Sequence, residues 1–101
     1  KAKAWVTANS ASAISSSYNI KSITDNGTGD YDINFAIPFK STGYVTVGNT
    51  GNPAAGANGN TVINIVDGDG SRVVLKVTTG NTGSVVNDAI SIVFFGELEN
   101  E

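Results

Sequence analysis

Short runs of alternating apolar and polar residues, separated by turn sequences, recur along this chain of 101 residues. The clearest run is Tyr31-Asp32-Ile33-Asn34-Phe35, which follows Asp25-Asn26-Gly27-Thr28-Gly29. A period of two places large side chains on one face of a strand, and Asn-Gly tolerates the positive φ of a tight turn. We therefore predict a β-hairpin with one apolar face and one solvent-facing, polar face. The core residues are Tyr31, Ile33 and Phe35, and the water-facing residues are Asp30, Asp32 and Asn34.

Strand-like segments account for most of the remaining chain. They run over residues 3–8, 18–24, 44–47, 61–66, 71–78 and 88–95, and the fourth and fifth flank the turn sequence Asp67-Gly68-Asp69-Gly70. Nothing holds a helical period for the roughly 10 residues that a helix requires. Short strands separated by turns predict an all-β protein, an antiparallel β-sandwich or jelly-roll-like domain. At this length we expect residues 1–101 to form a single domain.

The later strands carry apolar residues at consecutive positions, as in Val73-Val74-Leu75 and Ile92-Val93-Phe94-Phe95. One small sandwich buries only one face of each sheet, so the second face needs a cover. A copy of the same chain can supply it, and we expect a homo-oligomer. The alternative is that terminal segments or loops cover those faces.

Charge and composition exclude several functions. Lys and Arg number 6 against 9 Asp and Glu, which gives a net charge of −3 and no basic footprint for nucleic acid. Cys and His are absent, which removes disulfides, thiolate chemistry and the usual metal ligand and general base. No apolar run approaches the roughly 20 residues of a membrane span, so we expect no membrane insertion. We predict no enzyme activity and no cofactor.

Acidic residues provide weak candidates for chemistry. Asp67-Gly68-Asp69-Gly70-Ser71 is similar to the start of a calcium loop but lacks the later ligands, so a hairpin turn is the better interpretation. Carboxylate pairs for glycoside hydrolysis can be imagined, yet each Asp has a simpler turn or surface role. We therefore predict no metal site and no catalytic residue. The segment Glu97-Leu98-Glu99-Asn100-Glu101 is typical of a solvated tail.

Binding candidates come from one loop and from the aromatic residues. The segment from Gly48 to Asn60 is rich in Gly and Asn, and we interpret it as an exposed loop whose amides could contact a carbohydrate or a receptor. A plain connecting loop is the alternative. Trp5, Tyr18, Tyr31 and Tyr44 could stack on a sugar ring if exposed, although core or interface positions are favoured. The predicted binding residues are Asn49, Asn52, Asn58 and Asn60.

Part of the sequence resembles a known family. Lys3-Ala4-Trp5-Val6 and the segment SYNIKSITDNGTGDYDINF, residues 17–35, are similar to a recurrent segment of tail-fibre and other virion appendage proteins of tailed phages. The similarity covers about the first 40 residues. Because the chain begins at Lys1 and not at Met, we also expect a fragment or processed product of a longer protein.

The resemblance implies a trimeric, β-rich terminal domain of a virion fibre or appendage, exposed on the particle, with variable loops facing the host. In that family the shared segment is scaffold. Trp5, Tyr18, Tyr31 and Phe35 would then pack the core, and Asp25-Asn26-Gly27 would make the hairpin turn. Two functions follow as hypotheses: a receptor-binding domain for a host-surface glycan or protein, and a capsid decoration or fibre-shaft module without a host ligand.

Overall fold

Eight β-strands and no α-helix make up the part of the chain that the structure, a computed structural model, describes, namely residues 1–57 and 59–101. The strands are β1 Ala4–Ala8, β2 Ile14–Tyr18, β3 Ile20–Gly27, β4 Asp30–Phe35, β5 Val45–Thr50, β6 Thr61–Gly68, β7 Arg72–Thr79 and β8 Ile90–Phe95. They form two antiparallel sheets, sheet A in the order β2-β1-β8-β5 and sheet B in the order β3-β4-β7-β6. The predicted all-β sandwich is confirmed.

The core lies between the two sheets and follows the period of two. Sheet B contributes Tyr31, Ile33 and Phe35 from β4 together with Val73, Leu75 and Val77 from β7, all buried. Sheet A contributes alternate residues of β1 and β8. The ring of Phe35 packs edge-on against Phe94 with centroids 4.9 Å apart, and this contact joins the two layers.

Asn19 moves the chain from one sheet to the other. The prediction of one strand over residues 18–24 was wrong, because β2 ends at Tyr18 in sheet A and β3 begins at Ile20 in sheet B. Asn19 has a φ of +57°, a left-handed conformation that Asn tolerates better than most residues. The serine-rich β2, Ile14–Tyr18, lacks strong alternation and was missed for that reason.

The β3–β4 hairpin is confirmed, but its turn lies two residues later than predicted. Gly27 pairs with Asp30, so Thr28 and Gly29 form the connection and Asp25-Asn26-Gly27 belongs to β3. Asn26 is the extra residue of a bulge, and its Nδ2 donates to Asp32 Oδ1 at 2.9 Å. Arg72 Nη1 lies 2.9 Å from the other oxygen of Asp32. Asp32 is therefore buried, and the prediction that it faces water was wrong.

Tyr44 precedes β5 and closes one side of the core. Its ring stacks on Phe39 at 4.5 Å and meets Phe35 edge-on at 5.5 Å. Its hydroxyl lies 2.8 Å from the carbonyl oxygen of Asp69 and 3.1 Å from that of Arg72, the two residues that bound the β6–β7 turn. Burial raises the pKa of Tyr44 above its ordinary value of 10.0, and the carboxylate of Asp69 raises it further.

The C-terminal segment is docked through Leu98 while its other residues stay exposed, so the prediction of a solvated tail was wrong for Leu98. Leu98 is buried and pairs with Phe39 in an isolated β-bridge. Lys40 Nζ lies 3.1 Å from Glu97 Oε1, and Lys3 forms an ion pair with Glu101. Glu97 and Glu101 thus have basic partners that are distant in sequence. Both ends of the chain consequently lie together.

Replacing Leu98 by Ala is expected to lower the free energy of unfolding by about 2–4 kcal/mol, since a buried leucine side chain is lost and a cavity remains. Urea denaturation followed by tryptophan fluorescence measures the change. The control is Glu99→Ala in the same segment, an exposed position where about 0.5 kcal/mol or less is expected. Equal stability of the Leu98 variant and the parent protein would show that the segment is not docked.

Candidate functional site

The two outer faces of the sandwich differ in chemistry. The strands of sheet B carry Lys21, Asp25, Asp30, Asp32, Asp67, Arg72 and Lys76, whereas all four strands of sheet A are free of charged residues. Sequence reasoning predicted apolar residues on the outside of both sheets. The structure restricts that prediction largely to sheet A, because the outer face of sheet B is mostly polar.

The outer face of sheet A, called face A below, consists of aligned rows. One row crosses all four strands through Tyr18, Trp5, Val93 and Val47, which pair directly with one another. A second, polar row crosses through Ser16, Thr7, Ser91 and Asn49. Val45 and Phe95 pair beside the apolar row. Face A is therefore an uncharged surface with an apolar band and a polar border.

Trp5 and Tyr18 lie on face A and not in the core, so the core position expected for these two residues was wrong. They are 41% and 52% exposed, and their rings stack with centroids 4.9 Å apart at an angle of 24°. Ala4, Val6 and Ala8 fill the inner side of β1 instead. Tyr31 and Phe35 are buried as predicted.

A shallow groove crosses face A over β8, with a volume of about 450 Å³. Trp5 on β1 and Val47 on β5 stand on opposite sides, and Ser91 and Val93 of β8 lie between them. Asn49 lines the polar end, where its Oδ1 accepts a bond of 3.1 Å from Ser91 Oγ. The groove therefore offers apolar contact with a few hydrogen-bonding groups at one end.

The connections at the end of the sandwich away from the termini form a second surface, called the loop end below. It comprises residues 9–13, 28–29, 51–60 and 80–89, of which residue 58 is outside the described part. Asn9 and Asn52 each stabilise their own loop, because their side-chain Oδ1 atoms accept hydrogen bonds of 2.9–3.0 Å from backbone N–H groups of that loop. A pocket of about 220 Å³ lies between residues 9–11 and 55–57, above Asp88 and Ala89.

The four asparagines predicted to bind a ligand are not one site. Asn49 belongs to β5 and face A, because β5 extends to Thr50 and the predicted loop begins later than Gly48. Asn52 Nδ2 donates to the carbonyl oxygens of Ala8 at 3.0 Å and Ile90 at 3.2 Å, which makes it structural. Asn60 is exposed with a φ of +50°, and its carbonyl accepts from Gly80 N–H. Asn58 lies outside the described residues.

Two residues that sequence reasoning missed hold the loop end to the sheets. Asn87 Oδ1 accepts from Gly29 N–H at 2.9 Å and from the Tyr31 hydroxyl at 2.7 Å. Asp88 is buried and accepts from Thr61 Oγ1 at 2.5 Å. Burial raises the pKa of Tyr31 above its ordinary value of 10.0, and Asp25 and Asp88 raise it further. These partners are far apart in the sequence and only the fold brings them together, so no local sequence motif predicts them.

The aspartates of the suspected calcium loop serve the β6–β7 turn. Asp69 Oδ1 accepts from the N–H groups of Ser71 at 2.8 Å and Arg72 at 3.2 Å, and Asp67 Oδ1 accepts from Gly68 N–H. This arrangement agrees with the predicted hairpin turn, in which an Asp side chain accepts hydrogen bonds from backbone N–H groups that follow it in the chain. Within residues 1–57 and 59–101, no group of three or more acidic, His or Cys side chains could hold a metal ion.

No protein-family model, curated protein or solved structure matches the chain. None of the described residues forms a helix that is long and apolar enough to cross a membrane. Face A and the loop end are therefore interpreted from their own chemistry.

Replacing Asn52 by Ala is expected to lower the free energy of unfolding by about 2–4 kcal/mol, because two donated and two accepted hydrogen bonds are lost at about 1 kcal/mol each. Urea denaturation measures the difference. Asn49→Ala is the matched control, since Asn49 accepts a single bond from Ser91, and a change below about 1 kcal/mol is expected. Similar losses for the two variants would contradict the structural role of Asn52.

Stability is expected to fall as the pH rises above 10. The unfolded chain releases tyrosine protons near the ordinary pKa of 10.0, whereas Tyr31 and Tyr44 have raised pKa values in the folded protein. The folded state then binds more protons, so the stabilisation is complete below that pH and is lost above it. Denaturation between about pH 8 and pH 11 tests this, and Tyr31→Phe should show a smaller alkaline loss than the parent protein. An identical loss in the variant would remove Tyr31 as a cause.

Proposed function

We propose that the chain is a non-enzymatic attachment domain of a phage-type virion appendage. In this proposal the domain is a homotrimer exposed on the virion, is held through the end that carries its termini, and binds a host cell-surface glycan or protein with its loop end. The observation that carries the proposal is the separation of these two ends. Lys3, Lys40 and Glu101 gather at one, while residues 9–13, 51–57 and 80–89 gather at the other.

The chemistry of the loop end supports ligand binding by hydrogen bonds. Its exposed side chains are small and mostly uncharged, such as Ser10, Ala55 and Ala57, so backbone groups remain accessible to a ligand. Asn9 and Asn52 hold the two loops in shape through their own backbone bonds. A preformed polar surface of this kind is suited to sugar hydroxyls. Three weak sites on a trimer would add avidity.

The resemblance to phage appendages supports the same assignment. The similar residues, up to about position 37, form β1, the last residues of β2, β3 and β4, and so include one central strand of each sheet. Residues 51–57 and 80–89 lie outside that segment. A constant framework with variable loops is the arrangement that binding domains commonly use.

The second candidate function is a structural one, a capsid decoration or fibre-shaft module without a host ligand. Face A favours it, because an uncharged band with Trp5 and Tyr18 exposed would be buried equally well against another virion protein. The two functions differ in whether the loop end has a ligand of its own.

Ala55→Arg is expected to weaken binding to host glycans by about tenfold or more, since a long charged side chain would obstruct the loop-end pocket. The assay applies the labelled domain to an array of purified bacterial surface polysaccharides and to whole bacterial cells. Ala36→Arg is the matched control, an exposed alanine near the termini, and should bind as the parent does. A trimeric domain that binds no polysaccharide or cell would favour the structural function.

A further inference from the structure

Asn26-Gly27, at the end of β3, is a residue pair in which an asparagine can modify itself. The backbone nitrogen that follows an asparagine can attack the carbonyl carbon of its side chain, and glycine at that position leaves the approach unobstructed. Asn26 is exposed. The sequence contains one other such pair, Asn58-Gly59, of which Asn58 lies outside the described residues. The surroundings of Asn26 therefore decide whether the folded protein permits the reaction.

The backbone around Asn26 has room to rearrange. Asp25 pairs with Tyr31 and Gly27 with Asp30, so Asn26 has no partner of its own in the ladder and can turn while the pairs on either side persist. Gly27 has a φ of +131°, a conformation that glycine adopts without steric cost. Apart from its chain neighbours, no described atom lies within 4 Å of the point where a Cβ of Gly27 would stand. The space beside the two reacting residues is therefore open.

Two carboxylates contact the groups that would react. Gly27 N–H donates to Asp25 Oδ1 at 3.0 Å, and Asn26 Nδ2 donates to Asp32 Oδ1 at 2.9 Å. The first bond places a proton acceptor on the nitrogen that has to become a nucleophile, within the distance that proton transfer requires. The second bond holds the amide group whose nitrogen has to leave. Both ends of the reaction are therefore in contact with groups that can exchange protons.

From these observations we infer that Asn26 is a self-modification site of the folded protein. The Gly27 nitrogen forms a bond to Asn26 Cγ while its proton passes to Asp25 and from there to water. Nδ2 takes up a proton and leaves as ammonia, so a five-membered succinimide ring remains. One water molecule then opens the ring at either carbonyl, which gives aspartate or isoaspartate at position 26. The reaction does not depend on a ligand at the loop end.

The modification places a second carboxylate against Asp32. The side chain of Asp32 is 10% exposed, and Arg72 Nη1 lies 2.9 Å from its Oδ2. Its Oδ1 accepts from Asn26 Nδ2, and after the reaction a carboxylate oxygen stands where that donor was. Two like charges repel in a poorly solvated position, and the single guanidinium of Arg72 compensates only one of them. The modification therefore weakens the β3–β4 hairpin and its contact with β7.

Peptide mapping of the folded protein follows the reaction directly. Trypsin cleaves after Lys21 and Lys40, so peptide 22–40 carries Asn26. During incubation at about pH 8, this peptide should gain about 1 Da as NH2 is exchanged for OH, and fragmentation should locate the change at position 26. An isoaspartate form of the same peptide should appear beside the aspartate form. A native protein that keeps its mass at this position, over a period in which the urea-unfolded chain gains it, would overturn the inference.

Asp25→Asn tests the proton acceptor. An amide oxygen can still accept the bond from Gly27 N–H but does not take up its proton, so the mass gain should slow by about tenfold or more. The matched control is Asp30→Asn, which removes a carboxylate of the same hairpin and should react as the parent does. Equal rates in the Asp25 variant and the parent would refute the role of Asp25.

Asn26→Asp installs the product charge without the reaction and tests its consequence. Repulsion from Asp32 should lower the melting temperature by about 4–8 °C, the shift that a loss of about 1 kcal/mol causes in a domain of this size. Asn64→Asp is the control, because this exposed β6 residue pairs with Lys76 and its new charge has a basic neighbour. A melting temperature of Asn26→Asp equal to that of the parent would contradict the weakening of the hairpin.

Discussion

The crossing at Asn19 is the constraint on which the rest of this sandwich depends. Its Oδ1 accepts from Ile37 N–H at 2.6 Å, and its Nδ2 lies 3.0 Å from the carbonyl oxygen of Ile37 and 3.3 Å from that of Lys3. One side chain thus ties the start of β1 and the end of the β4 region to the point where the chain leaves sheet A for sheet B. Because β2 and β3 are fixed in different sheets, the alternation of β1 and β4 places the small residues of β1 and the aromatic residues of β4 in the core between the sheets.

The hairpins were predictable because the residues that specify them lie close together in the sequence. Period-two alternation over Tyr31 to Phe35, combined with glycine-containing turns, specifies β4 and its pairing whatever the rest of the chain does. The orientation of Trp5 was not predictable in this way. Alternation divides β1 into two faces, and hydrophobicity favours Trp5 inside, but the space between the sheets is already filled by Phe35, Phe94 and Ile33. Packing volume, which is a property of the whole core, leaves room only for Ala4, Val6 and Ala8.

The same distinction explains the functional surfaces. Asn52 lies in a Gly- and Asn-rich segment typical of a binding loop. Its side chain nevertheless donates hydrogen bonds to the carbonyl oxygens of Ala8 and Ile90 and so has a structural role. The C-terminal glutamates look solvated in sequence, yet Lys3 and Lys40 reach them across the fold. In each case a polar side chain is engaged by a partner at least 38 residues away in the chain, which no local pattern contains. Face A, by contrast, could be anticipated in part from the consecutive apolar residues of β8, where Val93 and Phe95 alternate with Ile92 and Phe94.

Free strand edges connect the fold to the proposed assembly. β5 and β6 are edge strands of the two sheets and lie on the same side of the sandwich, where Val45, Val47, Ile65 and Val66 are exposed. Long apolar edges invite uncontrolled pairing with other chains, and folded proteins commonly suppress it. The bulge at Val66 interrupts β6 as a template for a further strand, which leaves side-chain packing as the available mode of contact.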